Sequence, residues 1–335
     1  MPVSVKSPFT GLRSTVYKDS PLGGSKGAGN SEIILLSINP TGSRLVNART
    51  DKAIRVWKCS SDKLHDPITV EQPHVKAVES VSWHPKHEYT FATVGRDHLV
   101  KIWKTSSSGC TVEREVRVNR NDNSRHGMSV CQIVKYSADG EVMAVVDRDS
   151  TISLFNTSNY TMFKQFKMGE HVFDFTWFNS GHSHFMIGLH NGTVEVYKVK
   201  ENDDEPVEKV HTLKGHRSSV TTVALDPRGQ YIAIGSNEGV VSLWNTENLL
   251  NEGTISSIDE SIAQVDVSRD GAYLALTFDR NINIRIFDSE TLKEIYEVEN
   301  SSSGNLVLST FRWFPNRQNF VCTSDGGKSM TYVRK

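Results

Sequence analysis

The chain has 335 residues, a formal net charge of −1 and a pI near 6.9, so no overall field would draw it to nucleic acid or to an anionic membrane. Its hydrophobic fraction of 37% and charged fraction of 23% are typical of a globular protein. No apolar run reaches the roughly 18 residues that a membrane helix requires. We therefore expect no membrane association and RNA contact that is at most weak or indirect.

The N-terminal residues give two expectations, and the cysteines give a third. The first 17 lack a basic segment followed by an apolar stretch, so no secretory signal is indicated. Residues 21–29 read PLGGSKGAG, a composition typical of a flexible linker and without the glycine spacing of a P-loop. Four cysteines without paired spacing predict reduced thiols: Cys59, Cys110, Cys131 and Cys322.

From residue 33 onward one sequence motif recurs, in which a polar turn residue is followed six positions later by a large aromatic residue. The aromatics are Trp57, Trp103, Phe155, Tyr197, Trp244 and Phe287, at intervals of 46, 52, 42, 47 and 43 residues. This period is typical of a repeated four-stranded unit, in which the aromatic fills the space between neighbouring sheets. Strand ends favour aromatics in any case, but six matches in register favour true repeats over chance.

Seven units follow in chain order. Six are predicted to run from about Ile33 to Trp57, His74 to Trp103, His126 to Phe155, Val172 to Tyr197, Gly215 to Trp244 and Ile262 to Phe287. The seventh begins near Leu308 with STFRWF, NFVCTS and SMTYV and has no fourth strand. Because an open sheet edge exposes unpaired backbone groups, we expect the N-terminal segment to supply the missing strand near residues 12–17.

The sequence thus predicts an all-β fold, a seven-bladed WD-repeat β-propeller whose last blade is closed by an N-terminal strand. Residues 1–30 would form an N-terminal segment with that strand and the flexible linker. Residues 31–335, together with the closing strand, would form a single domain.

Two units carry residues for a buried polar network, since imidazole, carboxylate and indole N–H can bridge three strands. These sets are His74, Asp97 and Trp103 in unit two, and His216, Glu238 and Trp244 in unit five. A histidine beside a carboxylate also occurs in acid and base catalysis, but the repeat positions favour a structural role. Phe155 and Phe287 have no donor, so no such network is expected in their units.

We expect no catalytic residue, no cofactor and no metal. Three histidines, His182, His184 and His190, could ligate a metal if a hairpin gathered them, but no carboxylate or cysteine stands nearby in the sequence.

The residue before each turn residue is expected to lie on one face around the channel. These residues are Thr50, Arg96, Arg148, His190, Asn237, Arg280 and Ser324. Three arginines among seven would make this face basic, and such a ring could clamp an acidic peptide of a partner through charge-assisted bonds. The alternative is that the arginines are scattered and solvated.

Two stretches resemble the THO complex subunit 3 family, the WD-repeat subunit of the THO/TREX machinery for mRNA export. They are VESVSWHPKHEYTFATVGRDHLVKIWK in unit two and the run from GQYIAIGSNEGVVSLWNTENLL to LALTFDRNINIRIFDSETLKEIYEV. The similarity extends over roughly residues 10–330, and the order of blades is more specific than the repeat motif. Glu238 departs from the usual Asp of the repeat.

The resemblance implies a non-enzymatic nuclear scaffold that docks on the long helical THO subunits. The assembly would load a DEAD-box RNA helicase on nascent transcripts, so the helicase would be an indirect partner. Two alternatives come from other classes. One is a generic WD-repeat peptide reader of histone-tail or substrate-receptor type; the other is an enzyme with its active site in the channel, for which the sequence offers no metal or nucleophile constellation.

Overall fold

The computed structural model describes residues 9–18, 31–119, 129–200, 207–280, 283–300 and 309–335. These residues form seven antiparallel sheets of four strands each. Within the same ranges no helix has the length and hydropathy needed to cross a bilayer.

The first four blades are each built from consecutive strands. Blade 1 contains β2 (Ile33–Ile38), β3 (Arg44–Arg49), β4 (Ile54–Cys59) and β5 (Leu64–Val70). Blade 2 contains β6 (Ser80–Trp83), β7 (Thr90–Val94), β8 (Leu99–Thr105) and β9 (Cys110–Arg117). Blade 3 contains β10 (Cys131–Tyr136), β11 (Val142–Asp147), β12 (Thr151–Asn156) and β13 (Thr161–Lys167). Blade 4 contains β14 (Val172–Trp177), β15 (His184–Leu189), β16 (Thr193–Val199) and β17 (Val207–Lys214).

Blades 5 and 6 follow the same order, and blade 7 joins the two ends of the chain. Blade 5 contains β18 (Val220–Leu225), β19 (Tyr231–Ser236), β20 (Val241–Asn245) and β21 (Asn251–Ile255). Blade 6 contains β22 (Ile262–Val267), β23 (Tyr273–Phe278), β24 (Ile284–Asp288) and β25 (Glu294–Val298). Blade 7 contains β26 (Phe311–Trp313), β27 (Phe320–Ser324), β28 (Ser329–Arg334) and the N-terminal β1 (Arg13–Lys18).

The first strands of neighbouring blades contact one another around a closed ring, and β26 of blade 7 returns to β2 of blade 1. This arrangement confirms the predicted all-β, seven-bladed propeller. The closing strand is also confirmed, because β1 pairs with β28 from Arg13 opposite Arg334 to Lys18 opposite Ser329. It begins one residue later than expected. The predicted linker at 21–29 lies outside the described residues.

Burial follows position within a blade. Every residue of the second strands β11 and β19 is buried, whereas the fourth strand β9 is mostly exposed. Both faces of a blade pack against neighbouring blades, so its second strand is buried on both sides. The four cysteines are free thiols, and burial raises the pKa of Cys59, Cys110 and Cys322 to about 12.

The six repeated aromatics occupy the third strands and are 2–8% exposed. Each packs against the preceding blade; Trp103 of blade 2, for example, lies in one cluster with Val46 and Val56 of blade 1. Register places Val333 at the equivalent position of blade 7, because Val333 pairs with Phe320 as Trp103 pairs with Phe91. The last seam therefore lacks the aromatic of the repeat.

Phe9 fills that seam from the N-terminal segment. Its ring stacks on Tyr296 at 5.2 Å between centroids and meets Tyr273 edge-on at 5.2 Å. It belongs to the same buried cluster as Val333 and Trp313. The N-terminal segment thus contributes a core aromatic as well as a strand, and sequence reasoning identified only the strand.

Candidate partner-binding surface

We call the upper face the end of the propeller that carries the loops between blades and the turns from each second to each third strand. The seven residues proposed to bind a partner all lie on this face, at the end of the second strands or within two residues after it. Ser324 is half-buried and the other six are exposed. The structure therefore brings the predicted set to one end of the channel.

The strand register shows that two of the seven residues, in blades 6 and 7, do not occupy the position equivalent to the others. In blade 5 the N–H of Asn237 donates to the carbonyl of Ser219, and in blade 4 the N–H of His190 donates to His171, both at 2.9 Å. In blade 6 the residue that makes this bond is Asp279, not Arg280, and it donates to Ser261 at 3.2 Å.

In blade 7, Ser324 corresponds to Ser236 of blade 5. The carbonyl of each serine accepts a hydrogen bond from the N–H of the glycine three residues later in the chain. The equivalent of Asn237 is therefore Asp325. In blade 6 the cause is a longer turn: Ile234 pairs with Ser242, eight residues later, whereas Leu276 pairs with Arg285, nine residues later. In blade 7 the prediction took Asp325 as the turn residue, whereas Asp325 itself occupies the equivalent position.

The corrected ring consists of Thr50, Arg96, Arg148, His190, Asn237, Asp279 and Asp325. It is polarised: two arginines lie on the adjacent blades 2 and 3, and two aspartates lie on blades 6 and 7. The equivalent positions therefore carry two arginines rather than three, while Arg280 is exposed on the same face next to Asp279. Binding of a partner by this ring stays a prediction.

The two arginines differ in their surroundings. Arg96 is 51% exposed and its Nε forms an ion pair with Glu79 at the mouth of the channel. Arg148 is exposed, and it has no ion pair with a carboxylate in the described part of the chain. Arg148 is thus an exposed cation on this face that no described carboxylate neutralises.

Apolar side chains lie beside these arginines. Val75, Val130 and Phe173 are exposed at the upper ends of blades 2, 3 and 4. Phe173 is 37% exposed, and its ring meets His171 edge-on at 4.9 Å and stacks on His190 at 5.9 Å. We call the surface of Val75, Arg96, Val130, Arg148, Phe173 and His190 the upper arc. Exposed aromatic and arginine side chains together are typical of protein interfaces.

The channel below the arc has a volume of about 830 Å³ and is lined by the first strands. Two of its carboxylates join neighbouring blades. Asp174 accepts the N–H of Val223 at 2.8 Å, and Asp266 accepts the N–H of Trp313 at 2.7 Å. Burial raises the pKa of Asp266, although Arg312 and the hydrogen bond from Trp313 oppose the rise. These carboxylates hold the ring together, and their geometry gives them a structural role.

In blade 2 the predicted polar residues are joined through a hydroxyl that sequence reasoning missed. Nδ1 of His74 lies 2.9 Å from Oδ2 of Asp97, and Nε2 of His74 lies 2.8 Å from Oγ1 of Thr93. The indole N–H of Trp103 donates to the same hydroxyl at 2.8 Å. Burial alone would raise the pKa of Asp97, but the hydrogen bond from His74 and backbone N–H groups lower it below its ordinary value.

In blade 5 the corresponding hydroxyl comes from another strand. Nε2 of His216 lies 2.7 Å and the indole N–H of Trp244 lies 2.8 Å from Oγ of Ser242 on the third strand. Ile234 occupies the place of Thr93 on the second strand. Nδ1 of His216 lies 3.3 Å from Glu238, yet burial outweighs this carboxylate and lowers the pKa of His216.

The other repeat aromatics pack without such a network. Phe155 and Phe287 have no donor, and the indole nitrogen of Trp57 is buried with no hydrogen-bond partner among the described residues. The hydroxyl of Tyr197 donates instead to Glu195 on its own strand at 2.5 Å.

Replacing Thr93 with Val should destabilise the protein by about 2–3 kcal/mol, because a buried indole N–H and an imidazole nitrogen lose their shared partner. Thr93→Ser keeps the hydroxyl and should cost far less. Urea unfolding of the two variants measures the difference. Equal stability of the Val and Ser variants would show that the network contributes nothing.

The histidines considered for metal binding do not gather together. His182 has carboxylate neighbours that the sequence did not reveal, because they come from the preceding blade: Nδ1 of His182 lies 2.6 Å from Asp139 and 3.9 Å from Glu141. Asp139 also accepts a hydrogen bond from the hydroxyl of Ser137 at 2.6 Å. This cluster joins the lower turns of blades 3 and 4.

Comparison with known proteins agrees with this architecture. The family described as "WD domain, G-beta repeat" matches residues 66–104 and 207–245, which end just after Trp103 and Trp244, the tryptophans of the two networks. The β-propeller domain of Cps50 (Swd1) from Myceliophteria thermophila superposes with a TM-score of 0.72 at 13% identity, covering 95% of this chain and 99% of that one. The fold is therefore a seven-bladed WD-repeat propeller.

Two curated relatives differ in how much of their length the chain spans. "THO complex subunit 3" of Arabidopsis thaliana is 25% identical over 327 residues, which covers 97% of this chain and 93% of the relative. "WD repeat-containing protein AAC3" of Dictyostelium discoideum is 26% identical over 237 residues, which covers 63% of this chain and 46% of the relative. The resemblance noted from the sequence is confirmed.

Proposed function

We propose that this chain, a WD-repeat propeller similar along nearly its whole length to a plant THO complex subunit 3, is a non-enzymatic scaffold of a THO-type complex. The observation that carries the proposal is the reciprocal coverage of 97% and 93%, because a match limited to generic repeats would leave much of one partner unaligned. A rigid ring that presents many loops on two faces suits a scaffold, since loops carry specificity while the sheets hold them in place.

In this role the protein docks on the large helical subunits of the complex and supports transcription-coupled packaging of mRNA for nuclear export. Its place of action is the nucleus. A DEAD-box RNA helicase is an indirect partner, reached through the helical subunits. RNA contact is weak or indirect, which is consistent with a net charge of −1.

The upper arc is the proposed docking surface. Arg148 is an exposed cation without an ion pair to a described carboxylate, and Phe173 offers an exposed aromatic face beside it in the ring of blades. A helix or segment of a partner with acidic and apolar side chains fits this combination.

Affinity purification of the tagged protein from nuclease-treated nuclear extract, followed by mass spectrometry, should recover helical THO subunits. The variant Arg96→Glu/Arg148→Glu should recover them at about one tenth of the wild-type yield or less, because charge reversal at an interface costs several kcal/mol. The control Arg13→Glu/Arg269→Glu makes the same charge change at exposed arginines of blades 7 and 6 and should leave the yield unchanged.

Recovery without helical THO subunits would overturn the proposed function. If the protein instead bound isolated short peptides on an array through the upper arc, a generic peptide reader would be the better description. Equal recovery by both double variants would remove the upper arc as the docking surface and leave the scaffold role intact.

A further inference from the structure

A second surface lies on the lower face, the end of the propeller opposite the upper arc. A cleft of about 900 Å³ opens there between blades 5 and 6. Its cause is a pair of shortened hairpins: β21 and β25 have five residues each, whereas the fourth strands of blades 1 to 4 have seven or eight. In blade 4 the third strand continues two residues past Tyr197, but in blade 5 it ends one residue after Trp244. The two sheets therefore leave their shared seam uncovered at the lower rim.

The floor of the cleft is apolar. Tyr231 and Leu243 are buried there, and Leu292 packs directly over Gly253, where a Cβ atom would lie 2.5 Å from the leucine Cδ1. Asn245 lies in the wall of the cleft, and its N–H donates to the carbonyl of Leu250 at the other end of the same turn. The side chain of Leu250 is 63% exposed. A partner side chain of aliphatic character would find contacts here that water cannot provide.

The walls are strongly acidic. Five carboxylates line the cleft: Glu247, Glu252, Asp270, Asp288 and Glu290. The single cation in the lining, Arg228, has its Nε 3.5 Å from the carboxylate of Asp226. None of the five forms an ion pair with a lysine or arginine of the described residues.

Two of these carboxylates are fixed in place. Asp270 accepts hydrogen bonds from the Ser268 hydroxyl at 2.7 Å and from Gln318 at 3.0 Å, and such bonds lower its pKa even though burial would raise it. Asp288 accepts the N–H of Thr291 at 2.7 Å. These hydrogen bonds therefore hold both carboxylates in position over the apolar floor.

We propose that this cleft binds a basic segment of a partner protein, an extended or helical stretch that places lysine or arginine against the carboxylate walls and an aliphatic side chain on the floor. Charge complementarity identifies the occupant, because walls with five carboxylates repel phosphate backbones and acidic peptides and attract cationic ones. The apolar floor favours a protein segment over a small polyamine, which has no branched aliphatic group to bury. The inference is independent of the upper arc and of which complex the protein joins.

The test uses the full chain and a fluorescein-labelled synthetic peptide in which arginine and lysine alternate with leucine, with binding followed by fluorescence anisotropy. A peptide with glutamate in place of every basic residue should not bind. The variant Glu247→Gln/Glu252→Gln/Glu290→Gln should weaken binding of the basic peptide by about tenfold, since each exposed ion pair contributes up to about 1 kcal/mol.

The matched control is Glu113→Gln/Glu170→Gln/Glu208→Gln, which removes the same charge from exposed glutamates on β9, on the loop between β13 and β14, and on β17. It should bind the basic peptide like the wild type. An equal loss of peptide affinity in both triple variants would indicate non-specific electrostatic attraction and would overturn the proposed binding site. Unchanged binding by the Glu247→Gln/Glu252→Gln/Glu290→Gln variant would overturn it as well. Tight binding of a leucine-free arginine and lysine peptide would overturn the role of the floor.

Discussion

Deletion of residues 1–18 is expected to lower the melting temperature by more than about 10 °C, the largest effect of any change considered for this protein. The deletion removes β1, which leaves the edge of β28 unpaired, and it removes Phe9 from the seam between blades 6 and 7. Loss of a buried phenylalanine alone costs about 3–5 kcal/mol. An open sheet edge also promotes association with other chains, so dimers or aggregates should accompany the loss.

Differential scanning calorimetry and size-exclusion chromatography measure both effects. Deletion of residues 1–8 is the control, because it leaves every contact described for Phe9 and for β1 in place. Phe9→Ala separates the two contributions and should retain a monomer while losing part of the stability. A full deletion as stable as the control would mean that the ring does not need this closure.

Phe185→Ala is expected to destabilise the protein by about 3–5 kcal/mol. Phe185 lies fully buried at the seam between blades 3 and 4, and its ring centroid is 4.9 Å from that of Phe175, 5.4 Å from Tyr197 and 5.6 Å from Trp177. Removing its ring leaves a cavity and ends several aromatic contacts at once. Urea unfolding analysed by linear extrapolation gives the free energy.

Two comparisons make that measurement specific. Phe185→Leu keeps most of the volume and should cost about 1.5 kcal/mol or less. Phe163→Ala changes an exposed ring on β13 and should stay within about 0.5 kcal/mol of the wild type. A loss below about 1 kcal/mol for Phe185→Ala would contradict the view that stacked aromatics hold the blades together.

The repeated aromatics and turn residues predicted the blade count and the closing strand because both depend on local pattern and on the exclusion of open edges. The partners of the polar networks were harder to identify. Thr93 lies on the second strand of blade 2 and Ser242 on the third strand of blade 5, so no fixed spacing indicates both hydroxyls. The sequence signal for Thr93 was a threonine between two apolar residues, Ala92 and Val94.

Register and long-range packing account for what the sequence could not reveal. One extra residue in the turn of blade 6 moves Arg280 out of the equivalent position, and strand pairing is needed to detect it. Phe9 enters a seam formed by residues far along the chain, outside any repeat. The cleft arises from two shortened hairpins, whose lengths have meaning only beside those of the other blades.

The pairing of β1 with β28 has a consequence for synthesis in the cell. Arg13 and Arg334 become neighbours although about 320 residues separate them, so β1 leaves the ribosome long before its partner exists. During that interval blades 1 to 6 can form their own sheets, while the circle stays open and Phe9 has no seventh blade to pack against. Chaperones that shield an unpaired strand would act on this protein late in translation, just before the circle closes.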